Sequence, residues 1–112
     1  VIDGFNVFVG KNNMQNDFLT LHKAQKSDLW FHAKNLPGSH IILETEGKII
    51  PEETIAKVAS LAAFHSKGRS SGKVDVDYTH VKYIRKIPNG PPGLVNYTHQ
   101  RTITVFPKEI QN

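Results

Sequence analysis

The chain has no cysteine in its 112 residues, which removes disulfide staples and thiolate zinc sites from consideration. No apolar run approaches the roughly 20 residues of a membrane-spanning helix, and no secretory signal peptide is visible. A membrane partner is therefore not expected, and the expected location is the cytoplasm. There is no internal repeat and no heptad pattern, so repeat arrays and coiled coils are excluded. A Walker-type phosphate loop is also missing. In His65–Lys73, HSKGRSSGK, Gly68 and Gly72 are separated by three residues, Val74 stands where Ser or Thr is needed, and a predicted helix precedes. Histidines number six, but none forms the i, i+4 pair usual for a helical metal site. No metal or cofactor is expected. Without a nucleophile elbow or paired-carboxylate spacing the chain reads as a binding module and not an enzyme, with Asp28 and Asp77 in structural roles.

What is present suits one small globular domain. The apolar share is 38%, enough for a modest core, and the charged share of 21% is too low for a disordered chain. Fourteen Lys and Arg stand against ten Asp and Glu, a net charge of +4. The charge is segregated. Between Lys57 and Arg101 lie eight basic residues and only two acids, Asp75 and Asp77, whereas Glu44, Glu46, Glu52 and Glu53 crowd a short segment. This suggests a basic face for a polyanion and an acidic far end. The chain begins without Met inside what reads as a strand, and is expected to be a piece of a longer protein.

Asp28–His40, DLWFHAKNLPGSH, organises the rest. Leu29, Phe31 and Ala33 alternate with Trp30, His32 and Lys34, and the two-residue period of a strand sends the sets to opposite faces. The first set is an ordinary core face. The second lines up an indole, an imidazole and an ammonium, ending at Pro37–Gly38, which reads as a type II turn with positive φ at Gly38. Ser39 and His40 lead into a second strand, Ile41–Leu43. Stacking surface, donors and positive charge on one side of a sheet describe a surface for nucleic acid. The competing reading places Trp30 in a second core layer.

The flanking segments fill out the fold. Asp3–Gly4 fits a type I′ hairpin turn before Phe5–Val9. A helix is predicted from about Met14 to Gln25, with Asn12 or Asn13 as its cap and Met14, Phe18 and Leu21 as its apolar stripe, widened by Leu19 and Ala24. Beside its start, Lys11 could meet phosphate. Pro51, Glu52 and Glu53 open a second helix that runs to Phe64 or Ser66, ends at Gly68 as its C′ residue, and carries alanines suited to close approach on a sheet. Val74–Thr79 alternates as a strand and His80–Ile87 continues extended, combining Lys82, Arg85 and Lys86 with Tyr83. Leu94–Thr98 and Thr102–Phe106 are the last strands. The fold class is α+β: a mainly antiparallel sheet of about six to eight short strands with two principal helices, in a single domain over residues 1–112.

Several of these segments together carry a family likeness. G-K-N-N with N-D, D-L-W-F-H-A with P-G-S-H, D-Y-T and P-P-G-L-V resemble the NFACT-R domain of the RqcH and fibronectin-binding-protein-A-like family. The likeness covers nearly the whole chain. Pro91 departs from it, standing where a Lys is commoner and removing one candidate phosphate contact. The resemblance implies an RNA-binding module of a ribosome-associated quality-control factor, meeting tRNA or ribosomal RNA of the large subunit during template-free tailing of stalled chains, beside other domains of the same protein. It also implies a rival partner, fibronectin. The expected contact surface centres on Trp30, His32, Lys34, Ser39 and His40. Lys11 and Asn12 in the first loop, His65, Lys67, Arg69, Ser70 and Lys73 in the second, and Lys82, Arg85 and Lys86 on the strand would surround it.

Overall fold

Both faces of strand β2 (Leu29–Ala33) are covered, and the rest of the molecule is built outward from it. The structure, a computed structural model, describes residues 1–111. One sheet has the order β1 (Val7–Val9), β3 (Ile41–Leu43), β2, β4 (Val74–His80), β7 (Arg101–Val105), with every pair antiparallel. Two further strands, β5 (Ile84–Lys86) and β6 (Val95–Tyr97), form a separate hairpin. Helix α1 spans Asn13–Phe18 and passes into a π-helical turn over Leu19–Lys23; helix α2 spans Glu52–Phe64. The architecture is the α+β arrangement expected, with seven short strands among the described residues.

The alternation in β2 sorts its side chains as its period dictates. Leu29, Phe31 and Ala33 join Ile41, Leu43 and Val76 against α2, which contributes Val58, Ala59, Ala62 and Ala63. The alanines let the helix axis come close to the sheet, and all three are fully buried. On the other face Trp30 packs with Ile42, Leu19 and Ile84 in a smaller second core, with Val95 and Tyr97 of β6 against it. Each fully buried Leu, Ile or Phe contributes roughly 1.5–3 kcal/mol, so the α2 side holds most of the stability.

Local turn chemistry explains the edges. Asp3 and Gly4 both have positive φ, 51° and 86°, and Ile2 and Phe5 exchange two hydrogen bonds of 2.9 Å, as a type I′ turn requires. Thr54 Oγ1 and Lys57 Nζ donate to the Asp3 carboxylate and tie this turn to α2. Asp28 accepts from the backbone N–H groups of Gln25 and Thr45, the structural role expected of it.

Four expectations are corrected. The first helix buries a different face: Met14 and Phe18 are 69% and 57% exposed, while Leu19 is buried as expected and Asn16 and Thr20 are buried beside it. Two polar residues face inward because they bond to His40, and the π-helical turn, closed by Ala24 N–H donating to the Leu19 carbonyl, shifts the helical phase. His80–Ile87 is not one extended run. A 3₁₀ turn at Val81–Tyr83 breaks it, since Val81 and Lys82 donate to the carbonyls of Asp28 and Lys26. Gly38 is not at positive φ; Asn35, at 57°, is. Gly68 does not end α2 as its C′ residue. His65 caps the helix, and the Ser66 hydroxyl donates to the Ala63 carbonyl.

Candidate nucleic-acid interface

Three loops meet at one end of α2 because their backbones bond directly to one another. Gly10 N–H donates to the His40 carbonyl (3.0 Å), Ser39 N–H to the His65 carbonyl (2.9 Å) and Lys67 N–H to the Pro37 carbonyl (2.9 Å). Such contact leaves no room for side chains at the crossing points. A Cβ on Gly10 would stand 1.9 Å from Asn16 Oδ1, and one on Gly38 would stand 3.0 Å from Ser66 Cβ and 3.1 Å from the His65 carbonyl. These glycines are fixed by close approach rather than by backbone handedness.

The result is a cleft of about 430 Å³ whose walls include Lys11, Asn12, Ser39, His65, Lys67 and Arg69. Six expected contact residues, from three separate stretches, thus share one concavity. Lys11, Lys67 and Arg69 are exposed, and the Arg69 guanidinium lies 4.2 Å from the Phe64 ring centroid, held as a cation over an aromatic face. Burial, and then the nearby Arg69 charge, lower the pKa of His65 against the opposing Glu109 carboxylate, which favours the neutral imidazole. The Asn12 carboxamide accepts from Gln15 N–H (2.9 Å) and Gln15 Oε1 accepts from Lys11 N–H (2.9 Å), so Asn12 is first of all the helix cap. Glu52 and Glu53 lie at the far end of α2, about 20 Å away for 13 residues at 1.5 Å each.

A second concavity of about 440 Å³ adjoins the cleft and shares Asn13, Asn16, Pro37 and Gly38 with it. Its walls include Trp30, His32, His40 and Tyr97. Trp30 and His32 are nearly parallel at 9° with centroids 5.7 Å apart, His40 meets both edge-on at 5.4 Å, and Tyr97 lies 4.6 Å from the indole. Here the expected surface needs its main correction. Trp30 is 1% and His40 3% exposed, so neither is an open stacking platform. The indole belongs to the second core, under α1 and the β5–β6 hairpin, and His40 is a structural hub: its backbone N–H donates to Asn16 Oδ1 (3.0 Å) and its Nδ1 pairs with Thr20 Oγ1 (2.8 Å). His32 is half-buried and remains the accessible ring.

The electrostatics follow from that burial. Burial, reinforced by the neighbouring His32, lowers the pKa of His40 to about 4. His32 is lowered too, chiefly by burial, with the carbonyls of Ala33 and Gly38 and the Asp77 carboxylate opposing. Tyr97 is pushed up to about 12 by burial and by donating to Asp77 Oδ2 at 2.8 Å. Thr102 donates to the other oxygen of Asp77 at 2.6 Å, so this buried carboxylate is fully engaged in structure. The Trp30 indole N–H is buried with no hydrogen-bond partner among the described residues.

The other expected contact residues of the loops and strands lie outside the cleft. Lys34 is exposed beyond the end of β2, Ser70 and Lys73 lie further along the loop, and Lys73 approaches the Phe106 ring at 5.7 Å. On the hairpin, Lys86 is paired with Asp17 at 2.9 Å and Arg85 donates to the carbonyls of Lys82 and Ile84; in the 3₁₀ turn before it, Lys82 sits 5.1 Å from the Tyr83 ring. The Lys82–Lys86 stretch is thus only partly free to meet phosphate. Asn16, Phe64 and the Asp17–Gly93 bond were not singled out as site features. Asn16 and Asp17 sit inside the N-D segment of the sequence likeness, which is the one signal that marked them.

Residues 2–98 match the family described as the NFACT protein RNA binding domain. The chain belongs to this family. Among curated NFACT relatives, two proteins named Rqc2 homolog RqcH are 43% identical over 93% of this chain (Bacillus subtilis) and 46% identical over 92% (Streptococcus suis). The archaeal Rqc2 homolog aRqcH of Methanocaldococcus jannaschii is 33% identical over 73%. The solved C-terminal part of the fibronectin/fibrinogen-binding protein from Streptococcus suis superposes with a TM-score of 0.89 at 44% identity, covering 95% of this chain and 43% of that one. The chain spans 18% of the length of the two bacterial relatives. On this NFACT domain, the G-K-N-N and P-G-S-H segments form two sides of the cationic cleft, and the Pro91–Leu94 segment borders the aromatic pocket beside it.

Proposed function

We propose that this chain is the RNA-contacting module of a ribosome-associated quality-control factor. It meets tRNA or large-subunit ribosomal RNA in the cytoplasm while the full-length protein directs template-free tailing of stalled chains. Its part is binding, not catalysis. The observation that carries this reading is the convergence of Lys11, Lys67 and Arg69 in one cleft of an NFACT domain, with Ser39 and the neutral His65 between them as hydrogen-bonding groups. Clustered cations attract phosphate and release its counterions, which makes affinity fall steeply with salt.

The test is tRNA binding at 50 and 200 mM salt. Replacing Lys11, Lys67 and Arg69 together by Ala should flatten the log–log salt slope by about 2–3, near one unit for each phosphate no longer neutralised. The Lys82/Arg85/Lys86 triple Ala variant should flatten it less, since two of those side chains already have partners in the protein. Salt-independent binding, or none, would defeat the proposal. The name of the Streptococcus suis relative supports a second reading, as a fibronectin-binding surface. A fibronectin fragment binding as tightly as tRNA at physiological salt would favour it.

A further inference from the structure

The cleft accounts for phosphates, but the aromatic pocket beside it has no assigned role. Its chemistry differs from the cleft's. Its walls include Trp30, His32, His40 and Tyr97, and no Lys or Arg lines it. Burial holds both imidazoles toward their neutral forms. A volume of about 440 Å³ lies within the range of small-ligand pockets. His32, lying parallel to the indole, and Tyr97 are the half-buried rings of the group, and Asn13 and Asn35 are exposed amides at the rim. The indole N–H behind the wall is buried and has no acceptor among the described residues.

A neutral aromatic pocket sharing four residues with a cationic cleft matches the two halves of a nucleotide. We propose that the pocket receives one unpaired nucleobase of the bound RNA against the half-buried His32 ring, which the buried Trp30 indole backs, while Lys11, Lys67 and Arg69 hold the adjoining phosphates. Unpaired bases are the part of RNA that aromatic and imidazole rings can stack on, whereas a continuous duplex hides them. The inference rests on the RNA-binding reading and adds a preference within it: a strand with a splayed base over a blunt duplex.

The chain contains one tryptophan, so its fluorescence reports from this pocket. The 112-residue chain is titrated with a short single-stranded RNA, with an abasic ribose-phosphate strand of the same length, and with a blunt duplex. The base-bearing strand should bind about tenfold more tightly than the abasic one and alter Trp30 emission, while the abasic strand and the duplex leave emission unchanged. His32→Ala and His32→Gln, compared with the parent at equal fraction folded, should bring the base-bearing strand down to the abasic affinity and leave abasic binding as it was. Equal affinity for all three nucleic acids with no change in emission would overturn the pocket and leave the cationic cleft standing. Failure of every nucleic acid to bind would overturn the RNA-binding reading, and the pocket with it.

Discussion

His40 shows how one residue can look like a ligand contact and act as a support. It follows Ser39 in the P-G-S-H segment, yet its side chain is turned inward and bonded to Thr20. The folded protein holds its pKa at about 4 against an ordinary 6.5. Below pH 6.5 the unfolded chain takes up a proton that the folded chain refuses. Stability therefore falls as pH drops from about 6.5 to about 4, and this group adds no further loss below that. The expected loss at pH 5 is about 2 kcal/mol, read from urea midpoints at pH 7 and 5; His32 acts in the same direction. An NMR titration placing His40 near 6.5 would contradict this packing. Gly10 makes the same point for the backbone. Gly10→Ala drives a methyl into the Asn16 carboxamide, which must turn away from His40 N–H. The expected destabilisation is about 1–3 kcal/mol, measured by denaturant unfolding.

At the scale of elements, the β5–β6 hairpin decides what Trp30 is. It leaves the main sheet after the 3₁₀ turn and folds back over the outer face of β2, where Ile84, Val95 and Tyr97 cover the indole. It docks on α1 through the Asp17 carboxylate, which accepts from Lys86 Nζ (2.9 Å) and Gly93 N–H (3.1 Å). These bonds, Lys86 first, hold the Asp17 pKa below the usual carboxylate range. Asp17→Ala should loosen this docking without dissolving the sheet. Amide hydrogen exchange should speed up in Ile84–Lys86 and Val95–Tyr97 and stay unchanged in β2 and β4. Uniform acceleration across the molecule would show that the hairpin is not a separable unit.

For the whole molecule, the two cores share one sheet, since β2 gives Leu29, Phe31 and Ala33 to one and Trp30 to the other. Opening either core exposes a strand that the other needs. Unfolding should therefore be a single transition, with Trp30 fluorescence from the smaller core and far-ultraviolet circular dichroism from the sheet and helices giving coincident curves. An earlier fluorescence change would show the smaller core melting first. The same layout places Glu52 and Glu53 at one end of α2 and the loop carrying Lys67 and Arg69 at the other.

The alternation of β2, the Asp3–Gly4 turn, the alanine face of α2 and the α+β class were legible in the sequence, because each depends on neighbours a few residues away and on fixed backbone periods. The NFACT likeness was legible too, in short linked segments. What the sequence could not decide was which side of a two-faced strand stays open. That depends on a hairpin arriving more than fifty residues later, and it turned Trp30 from a platform into core. Nor could apolar periodicity see a helix whose inward face includes Asn16 and Thr20, since their burial is stabilised by hydrogen bonds to a histidine on another segment. Gly38 reads in the sequence as a turn residue, and only the crossing of three loops shows it and Gly10 to be points where a side chain has no space. Local order is written in sequence spacing; convergence of Lys11, Ser39, Lys67 and Arg69 on one cleft exists only once distant backbones have bonded to each other.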